Sequence, residues 1–242
     1  MVVRLAMWSG PRNISTALMR SWENRPDSVV VDEPLYAHYL AVTGLDHPGR
    51  EEVIATGDTD WSRVVRALLG PVPLGVDVFY QKHMTHHLTD DIDRAWITQL
   101  TNVLLIRDPR EVVASYLRSR DSVTANDIGL PQQRRLYEEL QAAGTTPLVI
   151  DSIDFLSEPA AYLQGLCARV GLTFTDAMMS WPPGPRDSDG VWGKYWYGAV
   201  WSSTGFTTYE ARELHLTREG AAVAEQCQPL YDELHEARWV LA

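Results

Sequence analysis

The residues best suited to do chemistry lie in the segment SGPRNIST, at positions 9–16. An apolar run before it, Val2–Trp8, predicts a buried strand, and the composition after it predicts a helix over Thr16–Glu23. A strand that passes through such a loop into a helix directs backbone N–H groups and the positive end of the helix dipole at one point. Arg12 adds a cation, and the hydroxyl residues add donors. The segment therefore predicts a phosphate-binding loop, with an ordinary strand–helix connection as the alternative.

The same segment is not a Walker A loop. That motif requires G-x-x-x-x-G-K-[ST], with the lysine on the terminal phosphates and the hydroxyl on magnesium. Here Gly10 is followed by Pro-Arg-Asn-Ile-Ser, without the second glycine and without the lysine. The loop suits an anion but is poorly built for Mg-ATP.

A second segment, RDPREVVASYLR, begins where an apolar strand ends. Asp108 is a good N-cap and Pro109 suits the first position of a helix. Arg107 stands at the strand end, and Glu111 and Ser115 are four residues apart, so they share a helix face. An arginine and a serine hydroxyl at this junction indicate a second anion site. The alternative is a helix start at which Arg107 pairs with Asp108 or Glu111.

Short apolar strands alternate with helical segments along most of the chain. The strand segments are rich in Val, Ile and Leu, as is typical of strands covered on both faces. The predicted strands are Val3–Trp8, Ser28–Val31, Val76–Gln81, Asn102–Ile106 and Pro147–Ile150. The predicted helices are Thr16–Glu23, Leu35–Val42, Trp61–Leu69, Arg110–Arg118, Pro131–Ala143, Pro159–Val170 and Thr217–Arg238. This order predicts a three-layer α/β/α fold with a central parallel sheet, which binds ligands beyond the carboxyl ends of its strands.

Polar side chains also follow the second and third predicted strands. The second runs into Asp32-Glu33-Pro34, and the third ends at Gln81-Lys82-His83, with His86 and His87 close behind. Histidines in such a cluster are metal ligands in some proteins, but no convergent carboxylate accompanies these, so no metal is expected.

The whole chain constrains the class of protein. At 242 residues, 45% of them hydrophobic, one domain over residues 1–242 is expected. The net charge of −11 has the wrong sign for general nucleic-acid binding. No run approaches the ~20 apolar residues of a membrane helix, and the N-terminus lacks a signal-peptide pattern. The two cysteines, Cys167 and Cys227, are consistent with the reducing cytoplasm. We therefore expect a cytoplasmic protein without membrane or nucleic-acid partners; whether it forms a homodimer stays open.

Two anion motifs on one sheet edge resemble those of the PAPS-dependent sulfotransferase family, in its bacterial branch, which has a P-loop NTPase-like fold. The segment from Arg107 to Ser115 fits the family pattern R-[ND]-P-[RK]-[DE]-x-x-x-S at every defined position, and SGPRNIST resembles the bacterial PRSGTT. The resemblance implies the donor PAPS, the product PAP and no metal, with the 5′-phosphosulfate on the first loop and the 3′-phosphate on the second motif. It implies cofactor contacts from Ser9, Gly10, Arg12, Asn13, Ser15, Thr16, Arg107 and Ser115.

The chain departs from the family pattern in three places. Asn13-Ile14 replaces the usual Ser-Gly, and Ala17 stands where cytosolic eukaryotic members carry a tryptophan that stacks on adenine. The family's C-terminal cofactor loop usually includes Arg-Lys-Gly; here the Trp-rich stretch 180–206 offers only Lys194, beside Trp192. We expect this stretch to form a lid or pocket wall, with core packing as the alternative.

The resemblance to this family also implies an in-line transfer of a sulfuryl group to a hydroxyl or amine of a small-molecule acceptor. Arg12 is the expected cation at the leaving group, with Lys82 as a second candidate. The expected base is Glu33, because DEPLY resembles the carboxylate position of bacterial members; His83 is the alternative. Two other functions remain open at this point: a P-loop kinase-like ATP-dependent enzyme, and a non-catalytic module that binds PAP or another nucleotide.

Overall fold

Five parallel strands form one sheet in the part of the chain that the computed structural model describes, residues 2–211 and 213–241. They are β1 (Val3–Ser9), β2 (Ser28–Asp32), β3 (Val78–Met84), β4 (Thr101–Ile106) and β5 (Leu148–Asp151). Their spatial order is β2-β3-β1-β4-β5. From β1 the chain first builds β2 and β3 on one side and then β4 and β5 on the other. β1 therefore lies at the topological switch point, where open α/β sheets bind ligands.

Helices connect and cover the strands. They are α1 (Ser15–Glu23), α2 (Tyr36–Thr43), α3 (Arg50–Thr56), α4 (Trp61–Leu69), α5 (Pro109–Tyr116), α6 (Leu130–Ala142), α7 (Ser152–Ser157), α8 (Pro159–Arg169), α9 (Gly193–Trp196), α10 (Gly198–Trp201) and α11 (Arg218–Glu236). Short 3₁₀ turns lie at Thr85–His87, Ala95–Gln99 and Asp176–Met179. Within the described residues, no helix is both long and apolar enough to cross a membrane.

Apolar clusters cover both faces of the sheet. Along β1, Leu5 and Met7 pack in one cluster with side chains of α1 and α8. Ala6 and Trp8, which alternate with them, pack in another with side chains of α4, α6 and α11. This alternation follows from the pleat of a strand, which sends successive side chains to opposite faces. The predicted three-layer α/β/α arrangement with a parallel sheet is confirmed.

The third strand extends beyond its predicted end. The sequence predicts an end at Gln81, whereas β3 continues through Met84. Lys82 and His83 are polar, but both are about 1% exposed. Their polarity therefore marks groups buried at the edge of the sheet rather than the start of a surface loop.

Candidate functional site

A cavity of about 240 Å³ opens at the carboxyl edge of the sheet, beside the ends of β1, β2 and β3. It lies at the switch point defined by the strand order. The predicted site residues in its wall are Arg12, Asn13, Ser15, Thr16, Glu33, Lys82, Arg107 and Ser115. Residues far apart in sequence are thus brought to one cavity.

The loop after β1 is held in an unusual backbone conformation. Arg12 has φ 56°, in the left-handed region that non-glycine residues rarely occupy. Its carbonyl oxygen accepts a hydrogen bond of 2.9 Å from Nη1 of Arg107. The Asn13 side chain donates to the carbonyl oxygen of Leu105 (3.0 Å) and accepts from the Ile14 N–H (2.8 Å). Asn13 therefore anchors the loop to β4 by its side chain.

The loop leads directly into the N-terminus of α1. Ser15 and Thr16 occupy its first turn, line the cavity and are buried. In the described structure no side chain caps this helix end. Backbone N–H groups of the first turn have no partner within their own helix, and the helix dipole adds partial positive charge. This end of the cavity is suited to an anion.

Ser115 is the centre of a cluster of arginines. Its hydroxyl oxygen accepts hydrogen bonds from Nε of Arg12 (3.0 Å) and from Nη2 of Arg118 (2.9 Å). Burial lowers the pKa of Arg12, and the cations of Arg118 and Arg107 lower it further. In the part of the chain that the structure describes, neither Arg12 nor Arg118 pairs with a carboxylate. Positive charge therefore remains uncompensated around one hydroxyl, as a phosphate site requires.

Arg107 fits both interpretations of its motif, an anion site and an ion pair at the start of a helix. It lines the cavity, and its Nη2 also forms an ion pair of 2.7 Å with Oε2 of Glu111. The other oxygen of Glu111 accepts a 2.5 Å hydrogen bond from the Tyr209 hydroxyl. The charge of Arg107 is thus balanced and its guanidinium is fixed in direction. Arg118, by contrast, was not predicted as a site residue. In the sequence, only its position three residues after Ser115, on the same face of the predicted helix, indicates that it could reach the site.

A second charged cluster lies at the ends of β2 and β3. Nζ of Lys82 donates to Oδ1 of Asp32 (2.9 Å), to the Tyr197 hydroxyl (2.8 Å) and to Oε1 of Glu33. The Tyr197 hydroxyl also donates to Oδ2 of Asp32 (2.7 Å) and accepts from Nε1 of Trp192 (3.0 Å). In this buried cluster one lysine therefore pairs with two carboxylates, so negative groups outnumber positive ones.

This imbalance sets the protonation of the cluster. Burial alone lowers the pKa of Lys82, but the carboxylates of Asp32 and Glu33 outweigh burial, so its pKa lies above the ordinary value. Burial raises the pKa of Glu33; Lys82 opposes this rise, and the neighbouring Asp32 adds to it. Lys82 is therefore cationic, and Glu33 is a stronger base than an exposed glutamate.

His83 lies on the opposite face of β3 from this cluster. Its ring stacks on Trp8 with centroids 4.1 Å apart, and its Nε2 lies 3.2 Å from Oε1 of Gln81. Burial lowers its pKa to about 3, and the cation of Lys82 adds to the effect. It is absent from the cavity wall, because adjacent residues of a strand face opposite sides.

The other histidines form an aromatic wall rather than a metal centre. His86 and His87 line the cavity, and the His87 ring stacks with both Tyr36 (4.6 Å) and Tyr39 (4.7 Å). Burial lowers the pKa of His86 to about 3, and that of His87 well below its ordinary value. Within residues 2–211 and 213–241, no group of three or more His, Cys, Asp or Glu could hold a metal.

Two loop residues expected at the phosphate lie outside the cavity wall. Ser9 is fully buried, with its hydroxyl 3.9 Å from the sulfur of Met84. A Cβ on Gly10 would lie 2.1 Å from the carbonyl oxygen of Ile128. Gly10 is thus required by the close approach of the segment before α6, and the structure does not bring it to the cavity.

The Trp-rich stretch 180–206 contributes other residues than those expected. Trp196 and Tyr197 line the cavity, whereas Trp192 is buried behind Tyr197. Lys194 is half exposed and pairs with Glu52 at 2.5 Å. Lys194 is not among the residues that line the cavity.

Fold and cavity together define an open parallel α/β protein with a cationic crevice at its switch point. Residues 3–237 match a family model described as the sulfotransferase domain. The chain belongs to the sulfotransferase domain family, which is a family of transferases.

Solved structures of two sulfotransferases have a similar fold. One is the sulfotransferase domain of the Synechococcus PCC 7002 olefin synthase, with 14% identity, a TM-score of 0.51 and coverage of 92% of this chain and 93% of that one. The other is a sulfotransferase from Alicyclobacillus acidocaldarius, with 13% identity, a TM-score of 0.50 and coverage of 76% and 87%. These likenesses concern the fold.

Two curated relatives come from Arabidopsis thaliana, the branched-chain-amino-acid aminotransferase-like proteins 2 and 1. Each is 32% identical to this chain, over 229 and 228 residues, or 94% of this chain. The chain spans 40% of the length of each relative.

Proposed function

We propose that this chain transfers a sulfuryl group from PAPS to a hydroxyl or amine of a small molecule. One observation carries the proposal: a single cavity joins the helix N-terminus and arginines that suit two phosphates to a buried carboxylate of raised pKa. Sulfuryl transfer needs both, because the donor is polyanionic and the acceptor must lose a proton.

The residues present fit the donor. The first turn of α1, with Ser15 and Thr16, would hold the 5′-phosphosulfate. Arg107, Ser115 and Arg118 would hold the 3′-phosphate, and the uncompensated charges of Arg12 and Arg118 support this assignment. PAPS would supply a sulfuryl group already attached to a good leaving group.

In this reaction the protein orients the donor and the acceptor, neutralises developing charge and moves one proton. Glu33 accepts the proton of the acceptor's O–H or N–H as the new bond to sulfur forms. The bond from sulfur to the bridging oxygen breaks, and its electron pair leaves with the 5′-phosphate of PAP. Arg12 stabilises the charge that develops there, and Lys82 holds Glu33 in position.

The two alternative functions, a kinase-like enzyme and a non-catalytic binding module, predict different behaviour. A kinase-like enzyme would need Asp32 for magnesium, but both oxygens of Asp32 accept hydrogen bonds from Lys82 or Tyr197. A non-catalytic module would bind PAP without turnover.

Titration calorimetry and a transfer assay separate these functions. We expect PAP to bind more tightly than AMP or Mg-ATP, and to stabilise the fold by ~2.7 kcal/mol at 100 times its Kd. With ³⁵S-labelled PAPS and a small-molecule extract, label should move to an organic product. Tighter binding of Mg-ATP, or tight PAP binding without transfer to any compound, would contradict the proposal.

A further inference from the structure

Arg120 places an unbalanced cation in the cavity wall, beyond the residues assigned to the donor. Its guanidinium lies 5.4 Å from the centroid of the Trp196 ring, and its Nη1 is 3.4 Å from the carbonyl oxygen of Asp46. Its Nε is buried and has no hydrogen-bond partner among the described residues. Nothing in the described chain forms an ion pair with it. A cation that lines a cavity without an ion-pair partner can pair with an anionic ligand.

The charged and titratable groups around Arg120 do not neutralise it. Asp127 lies in the same wall and keeps its negative charge, but among the described residues it forms no ion pair with Arg120; its Oδ2 accepts from both the N–H and the hydroxyl of Thr124, each at 2.8 Å. Burial, followed by the Arg120 cation, lowers the pKa of His47 to about 4. Burial raises the pKa of Tyr39 to about 12. At neutral pH these rings carry no charge.

Tyr36 lines the cavity together with Arg120 and the proposed base Glu33. Burial raises the pKa of Tyr36; the Glu33 carboxylate raises it further, and the Arg120 cation opposes the rise. Both charges therefore act on one phenol ring, and all three residues line the same cavity. The ring stacks on His87 and its hydroxyl contacts Nδ1 of His47 at 2.9 Å. The cavity that both charges line is thus walled in part by flat, uncharged rings.

We propose that the acceptor is a small molecule that carries a carboxylate, which Arg120 binds while the acceptor's hydroxyl or amine faces Glu33. The inference rests on the proposed sulfuryl transfer and adds the substrate class. A guanidinium in the cavity wall without a carboxylate partner among the described residues can form charge-assisted hydrogen bonds to a ligand carboxylate, which are stronger than hydrogen bonds to a neutral group. The uncharged rings suit the body of such an acceptor.

Matched acids and esters test this assignment. The acceptors are 4-hydroxyphenylacetate and 3-hydroxybutyrate, each compared with its methyl ester, in assays with ³⁵S-labelled PAPS. For the wild type we expect a KM for an acid about 10- to 100-fold below that of its ester. Arg120→Gln should raise the KM of the acid by a similar factor, with little change in the KM of the ester or in kcat.

Arg218→Gln is the control, because Arg218 is an exposed arginine at the start of α11, outside both the cavity wall and the motif around Arg107. It should leave both KM values unchanged, and both variants should bind PAP like the wild type in calorimetry. Equal use of acid and ester by the wild type, an equal loss for both in Arg120→Gln, or no transfer to any of the four compounds despite PAP binding would each overturn the carboxylate assignment. Failure of PAP to bind would instead overturn the proposed function.

Discussion

Arg12 and Glu33 are the non-glycine residues with positive φ in the described chain, at 56° and 41°, and both line the cavity. Such conformations cost of order 1–3 kcal/mol each and persist only where neighbouring groups hold them. The holding groups are visible: Arg107 donates to the carbonyl oxygen of Arg12, and the N–H of Glu33 donates to the carbonyl oxygen of Lys82 at 2.9 Å. Strain is thus located at the cation and the carboxylate to which we assign the chemistry.

The role of Glu33 is tested by removing its charge. General-base catalysis contributes about 10²–10⁴-fold, so Glu33→Gln should lower kcat by about that factor while PAP affinity is preserved. Because the pKa of Glu33 is raised, wild-type kcat should fall on the acidic side as this group is protonated, and this limb should be absent from the variant's profile.

His83→Gln is the comparison variant. Its ring lies against Trp8 on the other face of β3, so its removal should lower kcat much less. Steady-state rates at saturating PAPS measure both. Near wild-type turnover in Glu33→Gln together with an inactive His83→Gln would assign the base to the histidine.

Arg118 offers the sharper test of the 3′-phosphate site. Arg107 also holds the Arg12 backbone and pairs with Glu111, so Arg107→Ala would disturb the loop and leave a carboxylate unpaired. Arg118→Gln removes only an exposed cation from Ser115. We expect it to weaken PAP binding about tenfold and to leave AMP binding nearly unchanged.

The control for this variant is Arg218→Gln, which changes an exposed arginine at the start of α11 and should alter neither affinity. Calorimetric titrations with PAP and AMP provide the measurement. A PAP-to-AMP affinity ratio that is the same in Arg118→Gln as in the wild type would remove Arg118 from the phosphate site.

Among the elements, the stretch 180–206 is joined to the rest of the fold through charged groups. Nη2 of Arg20, on α1, lies 2.6 Å from the carboxylate of Asp189, which also accepts from Nε1 of Trp201 at 2.9 Å. Arg20 is fully buried. The stretch therefore forms a cavity wall by means of a buried ion pair rather than by apolar packing alone.

Removal of this pairing should be costly. Asp189→Ala leaves the buried Arg20 with only Glu23, at 3.4 Å, and should lower the free energy of unfolding by about 3–5 kcal/mol. Asp187→Ala, which removes an exposed carboxylate of the same stretch, should stay within about 0.5 kcal/mol. Urea unfolding followed by fluorescence measures both, and equal stabilities for the two variants would contradict the role of the ion pair.

The five strands and the helices α1, α2, α4, α5, α6, α8 and α11 could be predicted from the sequence, because their apolar residues report burial, whereas the short helices α3 and α7 were not predicted. Lys82 and His83 lie on opposite faces of β3, as adjacent residues of a strand do. The stretch around Trp192 and Lys194 has no such apolar pattern. Which of its side chains reach the cavity depends on two short helices and on Tyr197, whose contacts with Asp32 span 165 residues of sequence. Arg118 was not assigned to the site because an exposed arginine at the end of a predicted helix has no distinguishing pattern.

At the scale of the whole molecule, buried neutral histidines couple stability to pH. The pKa of His83 is about 3 in the folded protein and about 6.5 when unfolded. Below pH 6.5 the unfolded chain binds a proton that the folded chain does not, so stability falls as the pH falls. Between pH 7.5 and 5.5, His83 alone should account for about 1.4 kcal/mol of lost stability.

Denaturant unfolding at the two pH values tests this linkage. His83→Gln should lose about 1.4 kcal/mol less than the wild type over the same interval. His215→Gln, which removes an exposed histidine, should behave like the wild type. If His83→Gln has the same pH dependence as the wild type, the linkage does not originate at His83.

Asp32 connects the reacting groups to the cavity wall in a way that bears on timing. Its carboxylate accepts from Lys82, from the Tyr197 hydroxyl and from the Gly190 N–H at 3.2 Å, so β2, β3 and the stretch 180–206 meet at one group. Withdrawal of Tyr197 would expose Lys82 and Glu33, which line the cavity, to more water. Added hydration would counter the rise in the pKa of Glu33, and the glutamate would become a weaker base. The full basicity of Glu33 would then depend on the contact between Tyr197 and Asp32, and loss of that contact would slow the attack of water on an activated donor.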